Sequence, residues 1–136
     1  MSTIKADTLS NLAGTQSVPV ATVAQGSAKA WVNFNGTGTV AIRASFNVTS
    51  ITDNGTGDYT VNFTNAFADT SYVPMLQNTG YLSAGATYAA LGILTIYGDF
   101  TTGATLKTTT QLRIASGLSY SASLRDSVEC NVAIFR

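Results

Sequence analysis

The residues that could do chemistry are few. The chain of 136 residues has no His and one Cys, with seven Asp and Glu together and seven Lys and Arg together. Without His, neither a His-ligated zinc site nor a Ser-His-Asp triad can be built. Cys130 has no second Cys to pair with. It alternates with Val128 and Val132, which reads as a small buried apolar residue; a reactive thiol or an intersubunit disulfide is the alternative. Asp53 and Asp58 bracket the oxygen-rich loop 54–57, where a cation could sit. Calcium, however, asks for about six or more oxygens and usually a bidentate carboxylate, so a plain hairpin turn is favoured. Asp69 and Asp99 are isolated beside turns, and a glycosidase-like pair would need two such groups to meet in space. Arg43 is expected to pair with Asp58 or with a carboxylate of another subunit. No catalytic residue, no metal ligand and no cofactor site is expected.

Binding is a better prospect than catalysis. Tyr81, Phe100 and Tyr120 sit near Gly/Ser/Thr loops, and aromatic rings beside small polar groups suit saccharide recognition. Trp31, the only Trp, joins them as a candidate ligand or interface contact, although a core position is the favoured reading for it. The stretch Tyr88 to Tyr97 is apolar on both strand faces. Within it Leu91, Ile93 and Ile96 are the candidate subunit interface.

Charge narrows the partners. The net charge is zero and no basic cluster exists, so nonspecific nucleic-acid binding is not expected, because that affinity comes from Lys and Arg neutralising phosphates. An anionic membrane surface is disfavoured on the same ground. The longest apolar stretch is about ten residues, too short to span a bilayer. The first residues lack an apolar signal core, so synthesis in a cytoplasm is expected. The motifs at Asn35, Asn47, Asn54 and Asn62 match Asn-x-Ser/Thr, and composition alone accounts for them. Charged residues are 10% of the chain against about 25% in average soluble proteins. A neutral chain with so few charges tends to self-associate.

The elements that must carry these residues are strands. Thr, Ser, Asn and Gly make about 55 of the 136 residues, and Glu129 is the only Glu. Long helices need Glu, Lys, Gln and Leu on their wet faces, whereas Thr, Val, Tyr and Phe suit a pleated surface. Residues 1 to about 20 do not read as core strand, since Pro19 cannot donate to a ladder. Residues 1–28 are therefore an extended arm or attachment segment, with one or two helical turns near Ala21 to Ala30. Trp31 to Phe34 is a strand leading into the turn Asn35-Gly36-Thr37-Gly38. Val40, Ile42, Ala44, Phe46 and Val48 alternate with polar residues on one long amphipathic strand. The turn sequence recurs as Asn54-Gly55-Thr56-Gly57, 19 residues later. This predicts a hairpin of residues 46–52 and 58–64. A turn at 65–69 precedes a strand at 71–77, which Pro74 marks as an edge or a bulge. Leu106, Leu112 and Ile114 lie on a Thr-rich strand, Ser116 to Ser119 reads as a turn, and 128–135 is the last strand. Seven or eight strands over about 105 residues is the spacing of an all-β, antiparallel β-sandwich, jelly-roll-like, over residues 29–136.

One stretch resembles a known family. It runs Gln25-Gly26-Ser27-Ala28-Lys29-Ala30-Trp31-Val32-Asn33-Phe34-Asn35-Gly36-Thr37-Gly38, then Arg43-Ala44-Ser45-Phe46-Asn47-Val48. It continues Ser50-Ile51-Thr52-Asp53-Asn54-Gly55-Thr56-Gly57-Asp58-Tyr59-Thr60-Val61-Asn62-Phe63. This resembles a module of tail-fibre and related receptor-binding proteins of tailed bacteriophages. The lead-in Ile4-Lys5-Ala6-Asp7-Thr8-Leu9 with Leu12-Ala13-Gly14-Thr15, and the ending Asn131-Val132-Ala133-Ile134-Phe135, are similar to the family's ends. Nothing between about 70 and 127 resembles it. The resemblance implies a virion component, assembled in the host cytoplasm, forming a homotrimer without enzyme activity. It implies as partners other virion proteins of tail, baseplate or capsid, and a host cell-surface saccharide. It supplies no individual binding residues. The chain lacks a heptad or collagen-like shaft, so a capsid decoration or head-fibre protein is the alternative, and an ordinary carbohydrate-binding β-sandwich is a further one.

Overall fold

A computed structural model describes residues 3, 5–79, 92–97, 107–118 and 123–136, with the backbone alone for 92, 93 and 118. The described residues are all-β apart from one short helix. A two-stranded pair, β1 (Thr8–Ser10) with β2 (Ser17–Pro19), leads into helix α1 (Val20–Gly26). The helix occupies the Ala-rich stretch and buries none of its residues. It ends at Gly26, with the Ser27 N–H donating to the Val23 carbonyl at 3.1 Å.

Eight further strands make two four-stranded sheets, each pair antiparallel. The first has the order β4-β3-β10-β7, from β3 (Ala30–Asn35), β4 (Ala41–Phe46), β7 (Val73–Asn78) and β10 (Cys130–Phe135). The second has the order β5-β6-β9-β8, from β5 (Val48–Gly55), β6 (Asp58–Phe63), β8 (Gly92–Ile96) and β9 (Gln111–Leu118). Period-two alternation sends Ala30, Val32 and Phe34 of β3, and Cys130, Val132 and Ile134 of β10, to one buried cluster. Tyr59, Val61 and Phe63 of β6 and Leu112 and Ile114 of β9 enter the same cluster. Burying a Val, Leu, Ile or Phe side chain of this cluster contributes about 1.5–3 kcal/mol of transfer free energy. Phe34 and Tyr59 meet edge to face, with ring centroids 5.3 Å apart. Cys130 is a core residue, as its alternation predicts, and burial pushes its thiol up to about 12. Pro74 lies on β7, an edge strand.

The two Asn-Gly-Thr-Gly turns converge on one hydrogen-bond node. The Tyr59 hydroxyl lies 2.7 Å from Asp126 Oδ1 and 2.9 Å from the Gly36 carbonyl, and shares its proton between them. Asp126 Oδ1 also accepts from the Gly57 N–H at 2.7 Å. A Cβ at residue 36 would come within 2.5 Å of the Tyr59 hydroxyl. At Gly57, where φ is +66°, it would meet the Ser116 carbonyl oxygen at 2.4 Å. Both glycines are thus set by close approach, and Gly57 also by a left-handed backbone.

Two expectations change. The long amphipathic strand is broken by a bulge: Asn33 pairs with Ala44 and Phe34 with Ile42, which leaves Arg43 as the extra residue. Ile42 therefore packs toward the core beside Phe34, while Phe46 pairs with Trp31 on the outward face and is 55% exposed. Asn47, at φ +54°, then carries the chain to the other sheet, so the hairpin begins at Val48 and not at residue 46. Residues 116–118 continue β9 where a turn was expected. Buried Ser116 Oγ accepts from Asn78 Nδ2 at 2.9 Å and lies 2.9 Å from Ser127 Oγ, so small polar residues here fill an interior position.

Candidate functional site

The outward face of the β4-β3-β10-β7 sheet brings together residues from four strands. Register places Phe46, Trp31, Ala133 and Met75 directly opposite one another, in one row across the sheet. Trp31 is 40% exposed and Met75 62%. The core reading of Trp31 is corrected: Ala30 and Val32 take the inward positions on either side of it, so the indole faces out. Val73, opposite Phe135, extends the apolar area along β7.

The next outward row is polar. Ala44, Asn33, Asn131 and Gln77 lie opposite one another on the same four strands. Their amides form a chain. Asn33 Nδ2 donates to Asn131 Oδ1 at 2.6 Å, and Asn131 Nδ2 donates to Gln77 Oε1 at 3.3 Å. Glu129 Oε1 accepts from Asn33 Nδ2 at 3.1 Å and from Asn131 Nδ2 at 3.2 Å. Arg43 Nη1 closes the other end on Asn33 Oδ1 at 3.5 Å, and its Nη2 donates to the Val128 carbonyl. Gln77 Nε2 ends the chain with no protein partner among the described residues.

The β3, β10 and β7 members of the two rows line a shallow groove. Trp31 and Asn33 form one wall, Met75 and Gln77 the other, and Ala133 and Asn131 the floor. The walls stand on strands two apart, so their axes are separated by roughly 9.5 Å. A flat aromatic surface beside fixed amide donors and acceptors binds ligands by stacking and hydrogen bonding.

The remaining expected sites fall elsewhere. Asp58 pairs with Arg113, at 2.8 Å to Nε and 2.5 Å to Nη2, so the expected Arg43–Asp58 pair is replaced. That carboxylate raises the Arg113 pKa further. Asp53 Oδ1 accepts from the Gly55 N–H at 3.0 Å, as in an ordinary turn. No group of three metal-ligating side chains occurs among the described residues. Asp69 is held below the usual carboxylate range by the Ser71 backbone N–H and by its ion pair with Arg136. Ile96 is partly buried against the core from β8. Ile93 lies in β8 opposite Gly117, and Tyr81, Leu91, Phe100 and Tyr120 lie outside the described residues. No helix among the described residues is long and apolar enough to cross a membrane.

Of the four aromatic candidates, Trp31 alone is placed, and the residues that surround it were not singled out from sequence. One signal was available. Asn33 shares its strand parity with Trp31, and Asn131 shares its parity with Ala133. Aligning those two pairs needs the β3–β10 register, which spans nearly the whole chain. Searches against protein-family models, curated proteins and solved structures found nothing that matches this chain.

Proposed function

We propose that the chain is a structural protein of a tailed-bacteriophage virion, of tail-fibre type, which attaches the particle to the host surface or anchors a fibre. The observation that carries this reading is the stretch Trp31 to Phe63, which resembles tail-fibre modules and forms the consecutive strands β3 to β6. In this reading the two sheets are the layers of a jelly-roll-like β-sandwich, and three copies associate through the stretch Tyr88 to Tyr97, with Leu91, Ile93 and Ile96. The low charge fits a surface covered by copies and neighbours. No catalytic step belongs to this function.

A second reading, capsid decoration, is favoured by the N-terminal segment. Leu9 on β1 is 49% exposed and Leu12, in the turn between β1 and β2, fully so, and this pair of strands buries nothing in the core. Such an arm suits docking on a neighbouring virion protein. Labelling purified virions with an antibody to this chain, viewed by electron microscopy, tests both readings. Label at the tail supports the fibre reading, label over the shell supports decoration, and absence from virions contradicts both. Light scattering should give a mass near three times 14.1 kDa, and a stable monomer contradicts the trimer.

A further inference from the structure

The lining of the groove between β3 and β7 selects among possible occupants by its chemistry. A second copy of the chain is one. The exposed parts of Trp31, Phe46, Val73 and Met75 are 40 to 62% of each residue. They amount to roughly 400 Å², the size of the largest apolar patch on an ordinary monomer, which is often a functional one. The apolar row gives way at once to the polar row, where an interface core would stay apolar. A charged ligand is the next candidate. Glu129 and Arg43 both bond to the Asn33 side chain, so one acid and one base cancel at that end of the groove. Neither an anion nor a cation gains from it.

A neutral ligand with one apolar face and a hydroxylated edge matches both rows. The indole of Trp31 offers the stacking surface, and Met75 flanks it across the small Ala133 floor. Both N–H groups of Asn33 Nδ2 and of Asn131 Nδ2 are taken up within the row and by Glu129, so the row offers a ligand its amide oxygens and Gln77 Nε2, already held in place, which lowers the ordering cost of binding. The geometry points to a saccharide site in this groove, for one neutral hexopyranose ring of a surface glycan. The ring lies against Trp31, with one hydroxyl accepting from Gln77 Nε2 and another donating to Asn131 Oδ1. This site deepens the attachment reading and rests on it for its biological role.

The test uses the full chain on an array of immobilised oligosaccharides. Neutral probes end in glucose, galactose, mannose or N-acetylglucosamine; anionic probes end in a uronic or sialic acid. Retention on at least one neutral probe is expected. Trp31→Ala should weaken it about tenfold or more, and Gln77→Ala about fivefold. Trp31→Phe should keep part of the affinity, and Thr52→Ala, on the other sheet, all of it. Circular dichroism of each variant confirms the fold. Retention on anionic probes alone, on no probe, or equally by Trp31→Ala overturns the site. Virion labelling separates the two claims. Label at the tail without glycan binding removes this site and leaves attachment standing, whereas Trp31-dependent binding by a chain absent from virions supports the site and removes the attachment reading.

Discussion

The outward faces of the two sheets differ in how their side chains meet water. On β5-β6-β9-β8 the outward residues bond to one another: Asn62 Nδ2 to Ser50 Oγ and Thr52 Oγ1, both at 3.0 Å, Asn54 Nδ2 to Thr60 Oγ1 at 2.9 Å, and Asp58 to Arg113. Arg113 in turn lies over the Tyr97 ring. On β4-β3-β10-β7 the amide row is bonded in the same way, but beside it stand an indole, a phenyl ring and a thioether that are 40 to 62% exposed. Exposed polar ladders cost little and need no partner. A contiguous apolar row on a sheet face is what a binding surface looks like before its ligand arrives. The two faces therefore differ in kind: the polar ladders of one are satisfied within the chain, whereas the apolar row of the other stands open.

The largest effect tests the interior that both faces share. Cys130 keeps its proton to about pH 12 in the folded chain, against about 8.5–9 in an unfolded one. Burial raises the Tyr59 and Tyr72 pKa values as well. A raised folded pKa gives stability that is complete below the unfolded value and is lost as pH climbs toward the folded one. For Cys130 the loss runs at about 1.4 kcal/mol per pH unit above pH 9, or about 3 kcal/mol by pH 11. Urea unfolding at pH 8 and pH 11 measures it, and Cys130→Val should flatten the slope by that share. If unfolding occurs in two steps, the sheets do not share one core and the comparison of their outer faces loses its common reference.

On the satisfied face, Asp58→Ala should cost about 2 kcal/mol. Removing one partner of a buried pair costs about 3–5 kcal/mol, discounted here because the Arg113 side chain is 34% exposed. Asn62→Ala, also on that face, should cost about 1 kcal/mol in the same assay. On the open face, Phe46→Ser should change stability by no more than about 0.5 kcal/mol. A loss of 2 kcal/mol there would show that the row is already covered within the molecule, and the division between the faces would collapse.

Much of the framework was legible because turns and strands carry local signals. Asn-Gly at 35–36 and 54–55 marked both hairpins, Pro74 marked an edge, and the parity of Cys130 with Val132 marked the core. The site was less legible for physical reasons that can be named. Ala30, Trp31 and Val32 are all apolar, so alternation alone does not say which one faces out. The bulge at Arg43 reverses the facing of Phe46 without leaving a Gly or Pro as a sign. Asp58 with Arg113, and Asn33 with Asn131, are contacts of register between strands far apart in the chain. Ser116 and Gly117 have turn composition, yet they are held in β9 by pairing with β8.

Trp31 is the only tryptophan, so its fluorescence reads the open face without a label. Acrylamide quenching of that fluorescence, measured with and without the retained neutral oligosaccharide and across a range of protein concentrations, is the most direct test. The account predicts that quenching falls as the oligosaccharide is added and does not depend on protein concentration. Quenching that ignores every sugar and instead falls as the protein is concentrated would mean that a second copy covers the face, and would contradict it.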